Sequence, residues 1–141
     1  MGCHDLVVVI KKERIVVVMA RKILSISSNR SMNYLLKTIT GINYDLITAE
    51  DSFEAMSSLK TREVIECILI DIDYHTEENL SFIQHIKDSF LYHCPVIVLC
   101  SYEEIDESNK PPNVENVFYK PFDPLVLKKE IDKIMSDSLQ R

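Results

Sequence analysis

The amino-acid sequence predicts one α/β domain built on a parallel sheet of five strands with helices on both faces, and three observations carry that prediction. Residues 67–72 (CILIDI) and 95–100 (PVIVLC) are almost continuously apolar, as strands are when both faces of a parallel sheet are covered. Between such runs lie segments whose apolar residues recur at helical spacing. From residue 21 onward the two patterns alternate, which is the order that builds a parallel sheet through crossover helices.

Residues 22–27 (KILSIS) read as the first strand, ended by the polar cluster Ser27-Ser28-Asn29. Met32, Leu35, Leu36 and Ile39 then fall at i, i+3, i+4 and i+7, one face of a helix, with Gly41 as its stop. Residues 44–49 give the second strand. Ser52 is the expected N-cap of the second helix, with Phe53, Met56 and Leu59 on its inner face. CILIDI is the third strand, interrupted only by Asp71, and Phe82, Ile83, Ile86 and Phe90 mark the third helix. PVIVLC is the fourth strand and residues 117–119 a short fifth. Asp123 as N-cap and Pro124 at the first helical position open the last helix, whose inner face is Leu127, Ile131, Ile134 and Met135. The pattern fails between Cys100 and Val117. Residues 103–109 offer only Ile105 to a core and Pro111-Pro112 breaks any helix there, so helix four is expected to be short, irregular or missing. Five strands in about 120 residues fit the flavodoxin-like doubly wound fold, strand order 2-1-3-4-5, whose ligand crevice lies at the carboxyl ends of strands one and three. Ser27, Ser28, Asp71 and Asp73 would wall that crevice, with Cys100 and Lys120 nearby.

Composition narrows the function. A net charge of -6 and a pI near 5.2, with lysines and arginines scattered, argue against a nucleic-acid surface, and no DNA-binding module is visible. The chain has only Gly2 and Gly41, so it has no glycine-rich phosphate loop of the P-loop or dinucleotide type. Cys3, Cys67, Cys94 and Cys100 form no CxxC pair and no metal-ligand spacing, which reads as free thiols in a reducing cytoplasm. Cys100 is expected to be a small buried side chain, its alternative being a thiol activated by a nearby lysine. His75, His85 and His93 share no ligand spacing. No apolar stretch approaches the roughly 18 residues of a membrane span, so the expected protein is soluble and cytoplasmic.

Residues 1–20 stand apart from residues 21–141. Residues 6–10 and 15–19 are apolar and residues 11–14 (KKER) charged, the pattern of a β-hairpin with a four-residue turn. A lone hairpin is barely stable, so it would need a surface, either an edge of the sheet or a second copy of the chain. Alternatively Met19 is the natural start and the residues before it are a non-native leader.

Residues 21–135 resemble the receiver domain of two-component response regulators. In that family strand three ends in a phospho-accepting aspartate, matched by Asp71 in CILIDID. Strand four ends in Thr or Ser, where this chain has Cys100. Strand five leads into Lys-Pro-Phe, matched by Lys120, Pro121 and Phe122, and the family's Lys-Pro bond is usually cis. The departures carry the functional content. The two adjacent acids that help bind Mg²⁺ are matched by Ser27 and Ser28. The switch aromatic is matched by Val117, and the proline and glycine after the acceptor by His75 and Asn79. The resemblance therefore implies a degenerate receiver. It would be no enzyme, would have no resident cofactor and only weak affinity for Mg²⁺, and would act as a protein-interaction module toward a histidine kinase, another regulator or a second copy of itself. In it Asp71 forms a static pair with Lys120, and Asp73 is a solvated loop acid. The runner-up is a working phospho-receiver whose metal is held by Asp71 and Asp73, with Cys100 and Lys120 around the phosphoryl group. A small enzyme or cofactor binder on the same sheet is a third reading, opposed by the missing glycine loops and nucleophile–base pairs.

Overall fold

The computed structural model describes residues 6–11, 14–61, 64–89, 94–102, 105–106 and 108–138. In chain order the elements are β1 (Leu6–Lys11), β2 (Arg14–Met19), β3 (Lys22–Ile26), α1 (Arg30–Thr40), β4 (Asp45–Ala49), α2 (Ser52–Lys60), β5 (Ile65–Asp71), α3 (Thr76–Asp88), β6 (Val96–Cys100), β7 (Val114–Tyr119) and α4 (Pro124–Ser138). Strands β3 to β7 form one sheet in the order β4-β3-β5-β6-β7, every neighbouring pair parallel. Counted from β3, this is the order 2-1-3-4-5 expected from the sequence. The chain leaves β3 toward one edge and then crosses to β5 on its other side, so a crevice opens where the carboxyl ends of β3 and β5 diverge.

The period of two along each strand divides the core into two layers. Leu24, Ile26, Ile68, Ile70, Val96, Val98 and Cys100 face Ala55 and Leu59 of α2 and Phe82, Ile83 and Ile86 of α3. Ile23, Cys67, Leu69, Ile97 and Leu99 face Leu36 of α1 and Leu127, Ile131, Ile134 and Met135 of α4. The apolar runs of β5 and β6 are buried on both sides for this reason.

Helix termini follow from local donors and acceptors. Asn29 Oδ1 accepts from the Met32 amide at 3.0 Å and starts α1, and Asp123 Oδ1 accepts from the Leu125 amide at 2.9 Å at the start of α4. The cap of α2 is a correction: Asp51, not Ser52, accepts from the Glu54 amide, at 2.9 Å, and Ser52 is the first helical residue. The inner face of α2 is set by Ala55 and Leu59, four residues apart, with Met56 beside them. Phe53 precedes Ala55 by two residues, about 200° around the helix, and is 84% exposed. Gly41 closes α1 in an ordinary right-handed conformation, its amide donating to the Lys37 carbonyl at 2.8 Å.

The fifth strand of the sheet, β7, is twice the length expected. It is an edge strand, and exposed Glu115 and half-buried Asn116 interrupt its apolar pattern. Asn116 Oδ1 also accepts from the Val117 amide at 2.8 Å. Between β6 and β7 the described residues contain no helix. Ile105 anchors this stretch, 2% exposed, and its carbonyl accepts from the Tyr119 hydroxyl at 2.6 Å. At the amino terminus β1 and β2 pair antiparallel from Leu6 opposite Met19 to Lys11 opposite Arg14 and form a two-stranded sheet of their own. The strands thus take in Lys11 and Arg14, leaving two residues between them where the sequence suggested four. Cys3, Lys12, Glu13, Phe90 and His93 lie outside the described residues. No helix among the described residues is long and apolar enough to cross a membrane.

A polar clamp ties α4 to the amino ends of the strands. Arg21 grips Glu66 through two nitrogens, Nε reaching Oε2 at 2.9 Å, and also contacts Ser138, whose Oγ lies 3.1 Å from Glu66 Oε1. Tyr44 donates to Asp132 Oδ1 at 2.8 Å, and burial together with that carboxylate pushes its hydroxyl up to about 12. The Arg21 hydrogen bond outweighs burial and holds Glu66 below its usual 4.5. A carboxyl depressed in the fold stabilises it above its unfolded value and loses that contribution as pH falls through the folded value. Glu66→Gln is therefore expected to lower unfolding free energy by about 1 kcal/mol at pH 7, allowing for the partial exposure of the pair. The deficit should close as pH falls below 4.5, and urea titrations at a series of pH values measure both.

Candidate functional site

The carboxyl end of β5 delivers Asp71 into the crevice with its side chain fully buried. Strand alternation alone would pack an apolar residue there, and the carboxylate is tolerated because both of its oxygens are met. Oδ2 accepts from Lys120 Nζ at 2.7 Å and from Ser27 Oγ at 3.5 Å, a long contact, while Oδ1 accepts from the Asp73 amide at 3.1 Å. Lys120 follows β7. Its amide donates to the Cys100 carbonyl at 2.8 Å, and the Lys120-Pro121 bond is cis.

Asp73 is no solvated loop acid. Its side chain is 17% exposed and turns back into the crevice. Oδ2 accepts from Lys120 Nζ at 2.8 Å and from Ser101 Oγ at 2.6 Å, and Oδ1 from the Ser101 amide at 2.7 Å. Burial opposes the ionised form of Asp73, but the bonds from Lys120 and Ser101 outweigh it and hold the carboxyl below its usual range. Burial likewise pulls Lys120 down, and the bonds to Asp71 and Asp73 outweigh it and raise the ammonium. One ammonium thus bridges two carboxylates.

The remaining positions divide between this cluster and its surroundings. Ser27 is 3% exposed and also accepts from the Asn29 amide at 3.1 Å. Ser28 is exposed, so the two serines do not form a pair in the crevice. Cys100 is fully buried in the layer that includes Ile70 and Ile105 and carries no disulfide. It meets Lys120 through its backbone carbonyl. Val117 packs half-buried against the same layer. His75 takes the left-handed conformation, φ 56°, at the entry to α3. Asn79, 3% exposed, donates from Nδ2 to the Asp71 carbonyl at 3.1 Å and the Tyr74 carbonyl at 2.9 Å. It thereby ties the first turn of α3 to the loop carrying Asp73.

Sequence reasoning missed Ser101 entirely. The one available signal was the dipeptide Cys100-Ser101, which supplies a hydroxyl one residue beyond the place where it was sought.

The donor set does not suit a resident Mg²⁺, which takes carboxylates and waters in an octahedral shell. Both crevice carboxylates are bound to Lys120, and Ser27 is engaged by Asn29. Among the described residues no group of three or more His, Cys, Asp or Glu side chains is placed to hold a metal ion. A separate groove of about 690 Å³ runs between α2 and α3, lined by Phe53, Met56, Glu77, Glu78, Phe82 and His85 among others, and includes none of the crevice residues.

No protein-family model matches the sequence. No curated protein matches it either. Solved structures do. A response regulator from Thermotoga maritima is 24% identical with a TM-score of 0.69, the match covering 84% of this chain and 99% of that one. The signal receiver domain of an HD domain-containing protein from Pseudomonas fluorescens Pf-5 is 16% identical with a TM-score of 0.73, covering 86% and 99%. A chemotaxis response regulator of Vibrio cholerae is 19% identical with a TM-score of 0.69, covering 82% and 99%. The likeness is one of fold: a five-stranded doubly wound sheet shared along nearly the whole length of each relative.

Proposed function

We propose that this receiver-fold chain is a degenerate receiver, a cytoplasmic, non-enzymatic interaction module of two-component-type signalling that works with little or no phosphorylation of Asp71. The observation that carries the reading is the position of Lys120 Nζ, 2.7 Å from Asp71 and 2.8 Å from Asp73. Phosphorylation of an aspartate brings an anionic nucleophile against an anionic phosphoryl group, so catalysis depends on positive charge arranged around the transferring oxygens. Here the crevice holds two carboxylates and one ammonium, and Ser27 stands where an acid would draw in a cation. Asp71 is then a structural partner of Lys120, and signalling passes through surfaces presented to a histidine kinase, another regulator or a second copy of the chain. The adjacency of Asp71 and Asp73 favours one alternative, a working phospho-receiver with an unorthodox metal site.

The test is incubation with acetyl phosphate, or with beryllofluoride and Mg²⁺, followed by mass spectrometry and backbone NMR. The expected result is no adduct and no shift of the Asp71 amide. A stable adduct at Asp71 would refute the degenerate reading in favour of the alternative.

A further inference from the structure

We propose that Asp73 is the built-in occupant of an oxyanion cradle, and that its carboxylate closes the cradle to small external anions of the carboxylate or phosphate class. The inference deepens the reading of the crevice as a locked pocket and rests on it in one respect, the sharing of Lys120 with Asp71.

Three donors from two strand ends converge on this one side chain. Ser101, just past β6, gives its amide to Oδ1 at 2.7 Å and its hydroxyl to Oδ2 at 2.6 Å. Lys120, just past β7, gives its ammonium to Oδ2 at 2.8 Å. A backbone amide, a hydroxyl and an ammonium aimed at adjacent oxygens make a charge-assisted set that any small oxyanion can use. The occupant is aimed as well as tethered, because the Asp73 amide donates to Asp71 Oδ1 at 3.1 Å. That bond fixes the loop so that the side chain turns inward. The Asp73 side chain keeps 17% exposure, so removing it opens the cradle to solvent.

Tethering gives the internal anion an advantage, since an external competitor must reach the same donors from dilute solution. Asp71 adds selectivity. An anion in the cradle lies beside that carboxylate and shares its lysine, so a single negative charge, the charge Asp73 itself carries, is accommodated best. Monoanions such as acetate should therefore bind better than phosphate dianion.

The experiment follows the Ser101 amide in ¹H–¹⁵N spectra of wild type and Asp73→Ala during titration with acetate, with inorganic phosphate, and with chloride at matched ionic strength. In Asp73→Ala the Ser101 resonance should shift on losing its charged acceptor, then return saturably toward its wild-type position with acetate and more weakly with phosphate. Chloride should have no such effect, and wild type should respond at least tenfold less than the variant. Ser101→Ala added to Asp73→Ala should weaken acetate binding several-fold, read from neighbouring amides. If Asp73→Ala does not fold, Asp73→Ser takes its place in the same titrations. The proposal is overturned if the variant shows no saturable response, if chloride matches acetate, or if wild type responds equally. A beryllofluoride adduct on wild-type Asp71 would refute the locked-receiver reading, whereas the acetate arms judge the cradle, so the two failures are distinguishable.

Discussion

Lys120→Met is expected to lower unfolding free energy by about 3 kcal/mol at pH 7, the value expected for removing one partner of a buried ion pair. The Asp71 side chain is fully buried, and without the ammonium its Oδ2 keeps only Ser27 Oγ at 3.5 Å. Asp73 loses one of its three donors at the same time but retains both from Ser101. Lys120 also helps to hold the Asp73 carboxyl below its usual range. A carboxyl depressed in the fold contributes stability that is lost as pH falls through the folded value. The deficit of the variant should therefore narrow as pH falls below 3.8, which urea denaturation at stepped pH measures. Adding Asp71→Asn to Lys120→Met removes the stranded charge and should recover more than half of the loss. A deficit independent of pH, with no recovery in the double variant, would show that Lys120 acts through packing and not through charge.

Ile131→Ala is the second large expected effect, a loss of about 3 kcal/mol within the range for aliphatic truncation in a core. Ile131 is fully buried among Leu127, Ile134 and Met135 and sits midway along the face by which α4 covers the sheet. Leu125, six residues toward the amino end, is 65% exposed, and Leu125→Ala should change stability by less than about 0.5 kcal/mol. The contrast is the informative part. Helix propensity barely separates the two substitutions, so a difference of this size reports packing against β5 and β6. Chemical denaturation of both variants decides it, and equal effects would mean that α4 does not dock as described.

The contrast also shows why some elements were legible and others were not. Strands β5 and β6 are covered on both faces, so their residues are apolar without reference to any partner. The amino end of α4 was readable because Asp123 and Pro124 act locally, and its inner face because four apolar residues keep helical period. Other features depended on distant structure. Asp51 and Ser52 are both good capping residues, and the helix began one residue earlier than the sequence suggested. Polar Glu115 and Asn116 hid the first half of an edge strand. The order of the strands anticipated that Lys120 lies near Asp71, and the resemblance to receivers implied their pairing. The contact between Asp73 and Ser101, 28 residues apart, could not, since it depends on how two loops turn and neither residue type carries a pattern.

The outer rim of β7 has a consequence for self-association. An unpaired strand edge templates further strands and invites runaway aggregation unless something blocks it. Along β7 the exposed Glu115 places a charge on that rim, and the Asn116 side chain has already claimed the Val117 amide. Continuous sheet growth from one molecule into the next is thereby discouraged on this side. Of the two margins of the five-stranded sheet, strand-to-strand joining with a second copy is thereby left to β4.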